Sequence, residues 1–114
     1  MPLVTGVVKH RSGRGKKFGF PTANIPITKK VEDGVYISTV YHNKQSYPGV
    51  SIASNKHNTI ETHIVDYKGE IKNRLTFRLE EKVKDLQHYK NKEEMIESRK
   101  RLVKLARNHY KLNI

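Results

Sequence analysis

Glycines, cations and small oxygen-bearing side chains follow one another in the segment GRGKKFGFPTAN, which begins at residue 13. Gly13 and Gly15 let successive backbone N–H groups converge into a concavity that suits an anion. Three neighbouring cations add positive charge around it: Arg14, Lys16 and Lys17. These residues favour a phosphate-binding loop, and the alternative is a surface loop whose glycines only provide flexibility.

The segment matches none of the common phosphate-loop templates. A Walker A loop requires Lys after its second glycine, and here Phe20 follows Gly19. The Gly-x-Gly-x-x-Gly spacing of dinucleotide-binding proteins and protein kinases also fails, because the third glycine comes one place late and Pro21 follows soon after. Phosphate binding here therefore rests on the residue types and not on a known template.

Thr22 and Asn24 close the segment with two neutral oxygen donors. Pro21 fixes its own φ and holds the chain extended, so that Thr22 and Asn24 project to one side and Ala23 to the other. A hydroxyl and an amide oxygen suit Mg²⁺, which keeps several waters and binds substrate phosphates. On spacing alone, an equally good interpretation is that both side chains satisfy backbone groups at a strand end.

The segments that must position these groups are short and β-rich up to about residue 80. Their Val, Ile, Thr, Tyr and Phe content predicts strands, separated by turn signals such as Asp33-Gly34. The strand candidates are residues 3–9, 35–41, 47–53, 59–66 and 75–79. Five or six short strands of this kind predict an antiparallel sheet closed into a small barrel, because closure removes exposed strand edges.

The hydrophobic period changes near residue 92. Apolar residues then recur at helical spacing and neither Gly nor Pro interrupts the segment, which predicts one C-terminal helix over about residues 92–111. The apolar positions are Met95, Ile96, Leu102, Val103, Leu105, Ala106 and Tyr110. We expect this stripe to pack against the barrel, which spans about residues 1–85, within a single domain of residues 1–114. The basic opposite face is interpreted as a solvated face, with contact to RNA as the alternative.

Composition limits the compartment and the partners. The chain of 114 residues has no cysteine, which excludes disulfides and thiolate sites. No apolar run is long enough to span a membrane and the N-terminal residues lack a secretory pattern, so we expect a cytoplasmic monomer. The formal net charge of +12 favours a polyanionic partner, either a nucleic acid or the phosphates of a nucleotide.

Several segments, taken in order, closely resemble the riboflavin kinase (flavokinase) family, including the kinase module of bacterial bifunctional FAD synthetases. The loop from Gly13 to Asn24 is similar to the family's signature loop. Three later segments are similar to family motifs in the same order: Gly34-Val35-Tyr36, Tyr47-Pro48-Gly49-Val50 and Glu61-Thr62-His63. Phe77 and the C-terminal helix complete the resemblance, which spans nearly the whole chain.

The resemblance implies a mainly β fold, a six-stranded antiparallel Greek-key barrel with a C-terminal helix. It implies transfer of the ATP γ-phosphoryl group to the 5′-hydroxyl of riboflavin, which gives FMN and ADP. By position, Thr22 and Asn24 would hold Mg²⁺, and Glu61 would be the catalytic base. The nucleotide would be bound by Gly13, Arg14, Gly15, Lys16, Lys17, Gly19, Pro21, Thr22 and Asn24.

The strand pattern around Glu61 agrees with that role. Along residues 59–66 the side chains alternate, so Ile60 and Ile64 share one face while Glu61 and His63 share the other. A carboxylate directed away from the apolar face can take a proton from a hydroxyl group or orient it. The alternative is that Glu61 is a surface charge on an edge strand, and that His63 serves packing or hydrogen bonding.

Two segments depart from the family pattern and motivate other functions. Ala53 and Lys56-His57 stand where the family has Gly and Pro-Thr, and residues 79–82 differ after Phe77. The alternatives are a non-catalytic flavin- or nucleotide-binding protein, an RNA-binding regulator, and a kinase acting on another small alcohol. We do not expect FAD synthesis, because no adenylyltransferase module precedes Met1 in this sequence.

Overall fold

The computed structural model describes residues 3–9, 22–69, 71 and 73–113. In this part of the chain there are six strands and one long helix. The strands are β1 (Leu3–Val7), β2 (Thr22–Pro26), β3 (Gly34–His42), β4 (Gln45–Ser54), β5 (Thr59–Ile64) and β6 (Arg74–Lys84), and the helix is α1 (Lys92–Leu112). The mainly β fold with one C-terminal helix is therefore confirmed.

The strands form one antiparallel sheet in the order β1-β6-β3-β4-β5-β2. Strands β3, β4 and β5 form a meander and β6 returns beside β3, which is the Greek-key arrangement. A bridge between Lys9 and Asn24 joins the residues after β1 to β2, with a backbone N–O distance of 2.7 Å. This contact brings the two outer strands of the sheet together, so the sheet is a nearly closed barrel.

The barrel interior is filled by alternate residues of every strand. Phe77 and Leu75 of β6, Val40 of β3 and Ile60 of β5 are at most 1% exposed. Three hydroxyls cross this interior in a chain, because Ser51 Oγ lies 2.9 Å from Ser38 Oγ and 2.8 Å from Thr62 Oγ1. Because buried polar groups must be paired, this chain of hydroxyls ties β3, β4 and β5 to one register.

Gly49 is required by that interior. A Cβ atom at this position would lie 2.6 Å from Ser38 Oγ and 2.9 Å from Val40 Cγ2. Because the neighbours of β4 approach so closely, only glycine fits without moving them. The Tyr-Pro-Gly-Val segment of the sequence is thus an internal part of β4.

Helix α1 packs on the outer face of β3 and β4. Asn91 caps its first turn, with Asn91 Oδ1 accepting a hydrogen bond from the Glu94 backbone N–H at 2.8 Å. Leu102 and Ala106 are buried against Val35, Ile37, Val50 and Val65. No described helix is long and apolar enough to cross a lipid bilayer.

One member of the predicted apolar stripe is exposed, whereas the others are buried or half-buried. Leu105 is 49% exposed, because it lies about 100° around the helix from the centre of the packed face. Ser98 is buried instead, at 4% exposed. Its hydroxyl accepts a hydrogen bond from Lys84 Nζ at 2.7 Å and lies 2.9 Å from the Tyr89 hydroxyl. The N-terminal half of α1 is therefore attached through the hydrogen-bonded hydroxyl of Ser98 rather than through a buried apolar side chain.

Candidate functional site

The site is built on the pairing of β2 with β5. Asn24 lies directly opposite Glu61, and Thr22 lies directly opposite His63. Directly opposed residues of an antiparallel pair project to the same face with their Cβ atoms about 4.5–5.5 Å apart, and diagonal neighbours are about 7–8 Å apart. The structure thus brings Asn24 and Glu61 side by side, with Thr22 one step away on the same face.

This face is the outer surface of the barrel beside α1. Glu61 also lies opposite Ile52 of β4, and Ile52 packs against the buried cluster beneath the helix. Ile60 and Thr62 point into the barrel, at 1% and 0% exposed, while Glu61 is half-buried. The predicted alternation of β5 is therefore confirmed.

Strand β5 is not an edge strand. It is hydrogen-bonded to β4 on one side and to β2 on the other. Thr59, the first residue of β5, is also linked to β2, because the Thr59 hydroxyl donates to the Ile25 carbonyl at 3.2 Å. The interpretation of Glu61 as a charge on an edge strand is consequently wrong, because the backbone of Glu61 is paired with a strand on each side.

Asn24 carries an unsatisfied oxygen. Its side chain is only 5% exposed, and within the described ranges Asn24 Oδ1 is the buried side-chain polar atom that has no hydrogen-bond partner. A buried acceptor left unpaired costs about 1–3 kcal/mol, so such an atom is unusual unless a ligand completes it. The predicted alternative, that Asn24 satisfies a backbone group through this oxygen, does not hold among the described residues.

The donor set fits Mg²⁺. Asn24 Oδ1 is a neutral, hard oxygen, and Thr22 offers a hydroxyl on the same face. No group of three or more His, Asp or Glu side chains capable of holding a metal ion occurs within the described ranges. A cation here would thus take few protein ligands and complete its shell with water and phosphate oxygens, which is how Mg²⁺ is bound with nucleotides.

Most of the predicted phosphate loop lies outside the described residues. This applies to Gly13, Arg14, Gly15, Lys16, Lys17, Gly19 and Pro21, whose roles stay predictions. The described residues that flank the segment are Lys9 and Thr22, and both lie at the site. The Lys9 backbone N–H donates to the carbonyl of Asn24, and Thr22 begins β2.

The segment that departs from the family pattern forms a tight turn between β4 and β5. The Asn55 side chain donates to the Val31 carbonyl at 2.8 Å and to Asp33 Oδ1 at 2.7 Å. The Asn55 backbone N–H donates to the same carboxylate at 2.8 Å, and these hydrogen bonds lower the pKa of Asp33. Asn55 and Asp33 were not predicted as a pair, because their contact depends on the register of β3 against β4.

A second unpredicted pair joins the end of β5 to α1. Arg107 donates to both oxygens of Asp66, from Nε at 2.9 Å and from Nη2 at 2.6 Å. These bonds, more than the nearby charge of His63, hold the pKa of Asp66 below its usual value. Asp66 has a positive φ of 63°, so the chain turns sharply here, three residues after His63.

Comparison with known proteins supports one family. The family model for riboflavin kinase (flavokinase) matches residues 2–110. A bifunctional riboflavin kinase/FMN adenylyltransferase of Mycoplasma pneumoniae is 34% identical over 71 residues, which cover 58% of this chain and 26% of that protein. This chain therefore matches about a quarter of the length of that relative.

A solved structure shares the fold. The crystal structure titled macrolide-efflux protein from Streptococcus pneumoniae superposes with a TM-score of 0.79, covering 93% of this chain and 38% of that one. The sequence identity is 22%, so this likeness concerns the barrel and its helix alone.

Proposed function

Because the chain belongs to the riboflavin kinase family, we propose that it transfers the γ-phosphoryl group of ATP to the 5′-hydroxyl of riboflavin. The new bond joins the flavin 5′-oxygen to the γ-phosphorus, and the bond from that phosphorus to the bridging β–γ oxygen breaks. The products are FMN and ADP, and the hydroxyl proton passes to the protein. The observation that carries this proposal is the cross-strand pair of Asn24 and Glu61.

Glu61 is proposed as the group that takes the proton from the 5′-hydroxyl. Glu61 is half-buried, its backbone is paired with β4 and β2, and its neighbour Ile52 is apolar. A positioned base of this kind contributes about 10²–10⁴-fold to the rate. Glu61 lies directly opposite Asn24 and diagonally opposite Thr22, so it is a cross-strand neighbour of both oxygen donors of β2.

Thr22 and Asn24 are proposed as the protein ligands of Mg²⁺. When bound, the ion neutralises the charge that develops on the phosphate oxygens. The unpaired Asn24 Oδ1 supports this assignment, because it is an acceptor that no described residue satisfies. The glycines and cations of residues 13–19 are proposed to bind the nucleotide phosphates beside this pair.

The proposal is tested by measuring FMN formation from riboflavin, ATP and Mg²⁺. Glu61→Gln keeps the shape of the side chain but cannot accept the proton, so we expect kcat to fall by about 10²–10⁴-fold with the circular dichroism spectrum unchanged. Glu97→Gln, an exposed position on α1, is the matched control and should keep the wild-type rate.

Two results would contradict the proposal. A folded wild-type protein that makes no FMN at saturating substrates would exclude the reaction. An active wild type whose Glu61→Gln variant keeps full turnover would remove Glu61 from the chemistry. A flavin that lacks the 5′-hydroxyl should give no phosphorylated product. Product formed from this flavin would mean that the phosphoryl group is transferred to another position on the ligand.

A further inference from the structure

Part of the barrel's outer surface has no covering element among the described residues. Helix α1 packs over β3 and β4, and among the described residues no helix or strand packs on the outer face of β1, of the first half of β6 and of the end of β3. Leu3, Val7 and Tyr41 on this face are 43%, 51% and 39% exposed. These apolar side chains stand singly, with Thr5 and Thr76 between them, so the face mixes apolar, hydroxyl and charged groups.

Two arginines lie among these apolar side chains. Arg74 is opposite Val7, and Arg78 is opposite both Leu3 and Thr39. Both arginines are exposed, and they are separated by about 13 Å along β6. The acidic residues of this strand, Glu80 and Glu81, follow Arg78 at about 7–10 Å along β6, so the cationic part of this face ends at Arg78.

Helix α1 carries a row of cations that reaches the same end of the barrel. Lys100, Lys104 and Lys111 are exposed and recur at intervals of four and seven residues, so they lie along one side of the helix over about 16 Å. The sequence from residue 98 to residue 114 has six Lys and Arg and no Asp or Glu. Arg107 lies in the same row but is held by Asp66, so it does not serve as a free cation.

The helix row lies on the side of α1 opposite Leu102 and Ala106, and its C-terminal end approaches the open sheet face at two tyrosines. Tyr41 lies opposite Ser46, whose side chain lies 2.7 Å from the hydroxyl of Tyr110. Tyr110 also donates to the Ser46 carbonyl at 2.9 Å, and Lys111 is the next residue of the helix. We define the cationic track as Lys100, Lys104 and Lys111 of α1, Tyr41 of β3, and Arg74 and Arg78 of β6.

We propose that the cationic track binds a single-stranded nucleic acid through its phosphate backbone, independently of the kinase site. Cations spaced along a surface match a polyanion, and proteins that bind single strands combine such a surface with exposed aromatic rings on which bases stack. Tyr41 supplies such a ring between the two sets of cations. A single strand is favoured over a duplex because only unpaired bases can stack on a side chain.

A membrane surface is the less suitable partner. Helices that lie in a lipid interface insert an apolar stripe, and the stripe of α1 is already packed on the barrel through Leu102 and Ala106. The large apolar residues of α1 that stay exposed are Leu105 and Leu112, which lie seven residues apart on one side of the helix. Two leucines form a much smaller apolar surface than the stripe that is packed on the barrel, so little of α1 is left to insert into a lipid interface.

The test is fluorescence anisotropy with a labelled oligouridine of about 20 nucleotides, between about 50 and 200 mM salt. The track variant combines Lys104→Gln, Lys111→Gln and Arg78→Gln. For a single strand the slope of log K against log salt changes by about 0.7 for each phosphate that the protein neutralises, so removing three cations should make the slope shallower by about 2. Tyr41→Ala should weaken binding about five- to a hundredfold, and Tyr41→Phe should not.

A matched control separates the track from simple charge attraction. Lys30→Gln, Lys56→Gln and Lys90→Gln remove the same charge from exposed positions away from the track. Lys30 and Lys56 lie at the end of the barrel where β3 begins, because Asn55 contacts Val31 and Asp33 there. Equal weakening by the control and the track variant would overturn the proposal, as would track-dependent binding to phosphatidylserine vesicles without binding to RNA.

The nucleic-acid proposal and the kinase proposal can fail independently, and two variants show which of them has failed. Glu61→Gln should bind the oligonucleotide as the wild type does, because Glu61 lies on another face of the barrel. The track variant should still form FMN at the wild-type rate. Abolished oligonucleotide binding in Glu61→Gln would show that the nucleic acid occupies the kinase site, and the separate track would be excluded.

Discussion

Asn24 contributes little to the fold through its amide oxygen, because that atom is buried and has no partner among the described residues. We therefore predict that Asn24→Leu does not destabilise the ligand-free protein and raises its free energy of unfolding by up to about 1–3 kcal/mol, since an unpaired buried acceptor is removed. The same substitution should abolish stabilisation by Mg-ADP. A ligand at 100 times its Kd stabilises by about 2.7 kcal/mol, which thermal unfolding with and without Mg-ADP resolves.

Thr59→Val is the comparison for that experiment. Thr59 is buried on the neighbouring strand, and its hydroxyl has a partner, the carbonyl of Ile25. Removing this hydroxyl should destabilise the protein by about 1 kcal/mol in both conditions and leave the Mg-ADP increment intact. An Asn24→Leu protein that is stabilised by Mg-ADP as strongly as wild type would exclude Asn24 as a ligand of the ion.

One exposed ion pair, between Asp66 and Arg107, links the end of β5 to α1. Arg107 lowers the pKa of Asp66, so the pair stabilises the folded state above the unfolded pKa of about 3.9 and loses that contribution as the pH falls through the lower folded value. The two side chains are 45% and 54% exposed, which limits the expected contribution to about 0.2–1 kcal/mol.

We therefore predict that Asp66→Asn lowers the free energy of unfolding at pH 7 by an amount in that range. The difference from wild type should shrink as the pH is lowered below about 3.9, where the wild-type carboxylate also becomes neutral. Urea unfolding at several pH values measures this, and the Arg107→Gln variant and the double variant complete the cycle. A difference that persists unchanged at low pH would assign the effect to packing rather than charge.

At the scale of the whole molecule, the sequence predicted the elements better than their arrangement. Alternation fixed the face of Glu61, because a strand has a strict period of two. It could not predict that Asn24 would be its partner, since β2 and β5 are far apart in the sequence and no turn between them sets their register. Strand β6 runs to Lys84, beyond the predicted end at residue 79, because register shifts against β3 interrupt its alternation.

Turn chemistry explains a smaller difference. The predicted turn over residues 42–44 is a two-residue turn of Asn43 and Lys44, with φ values of 50° and 65°. Two positive φ values match the twist of a hairpin, and glycine usually occupies the second position. Lys44 gave no such signal, so β3 extends one residue and β4 two residues further toward the turn than predicted.

The attachment of α1 to the barrel supplies the last prediction. Leu102 is 4% exposed beneath the helix, and Leu105 on the same helix is 49% exposed. Leu102→Ala should lower the free energy of unfolding by about 2–5 kcal/mol, because it removes buried apolar surface and leaves a cavity behind. Leu105→Ala, which removes the same atoms from a half-exposed position, should cost less than about 1 kcal/mol.

The Leu102→Ala protein also tests whether α1 and the barrel unfold together. A chain of this length has a total stability of about 6–17 kcal/mol, so the destabilisation at Leu102 is a large fraction of it. If α1 and the barrel form one cooperative unit, amide exchange in β3 and β4 should accelerate with that in α1 in the Leu102→Ala protein. Acceleration confined to α1 would mean that the helix detaches alone, and the outer face of Val35, Ile37 and Val50 would then be exposed while the barrel stays folded.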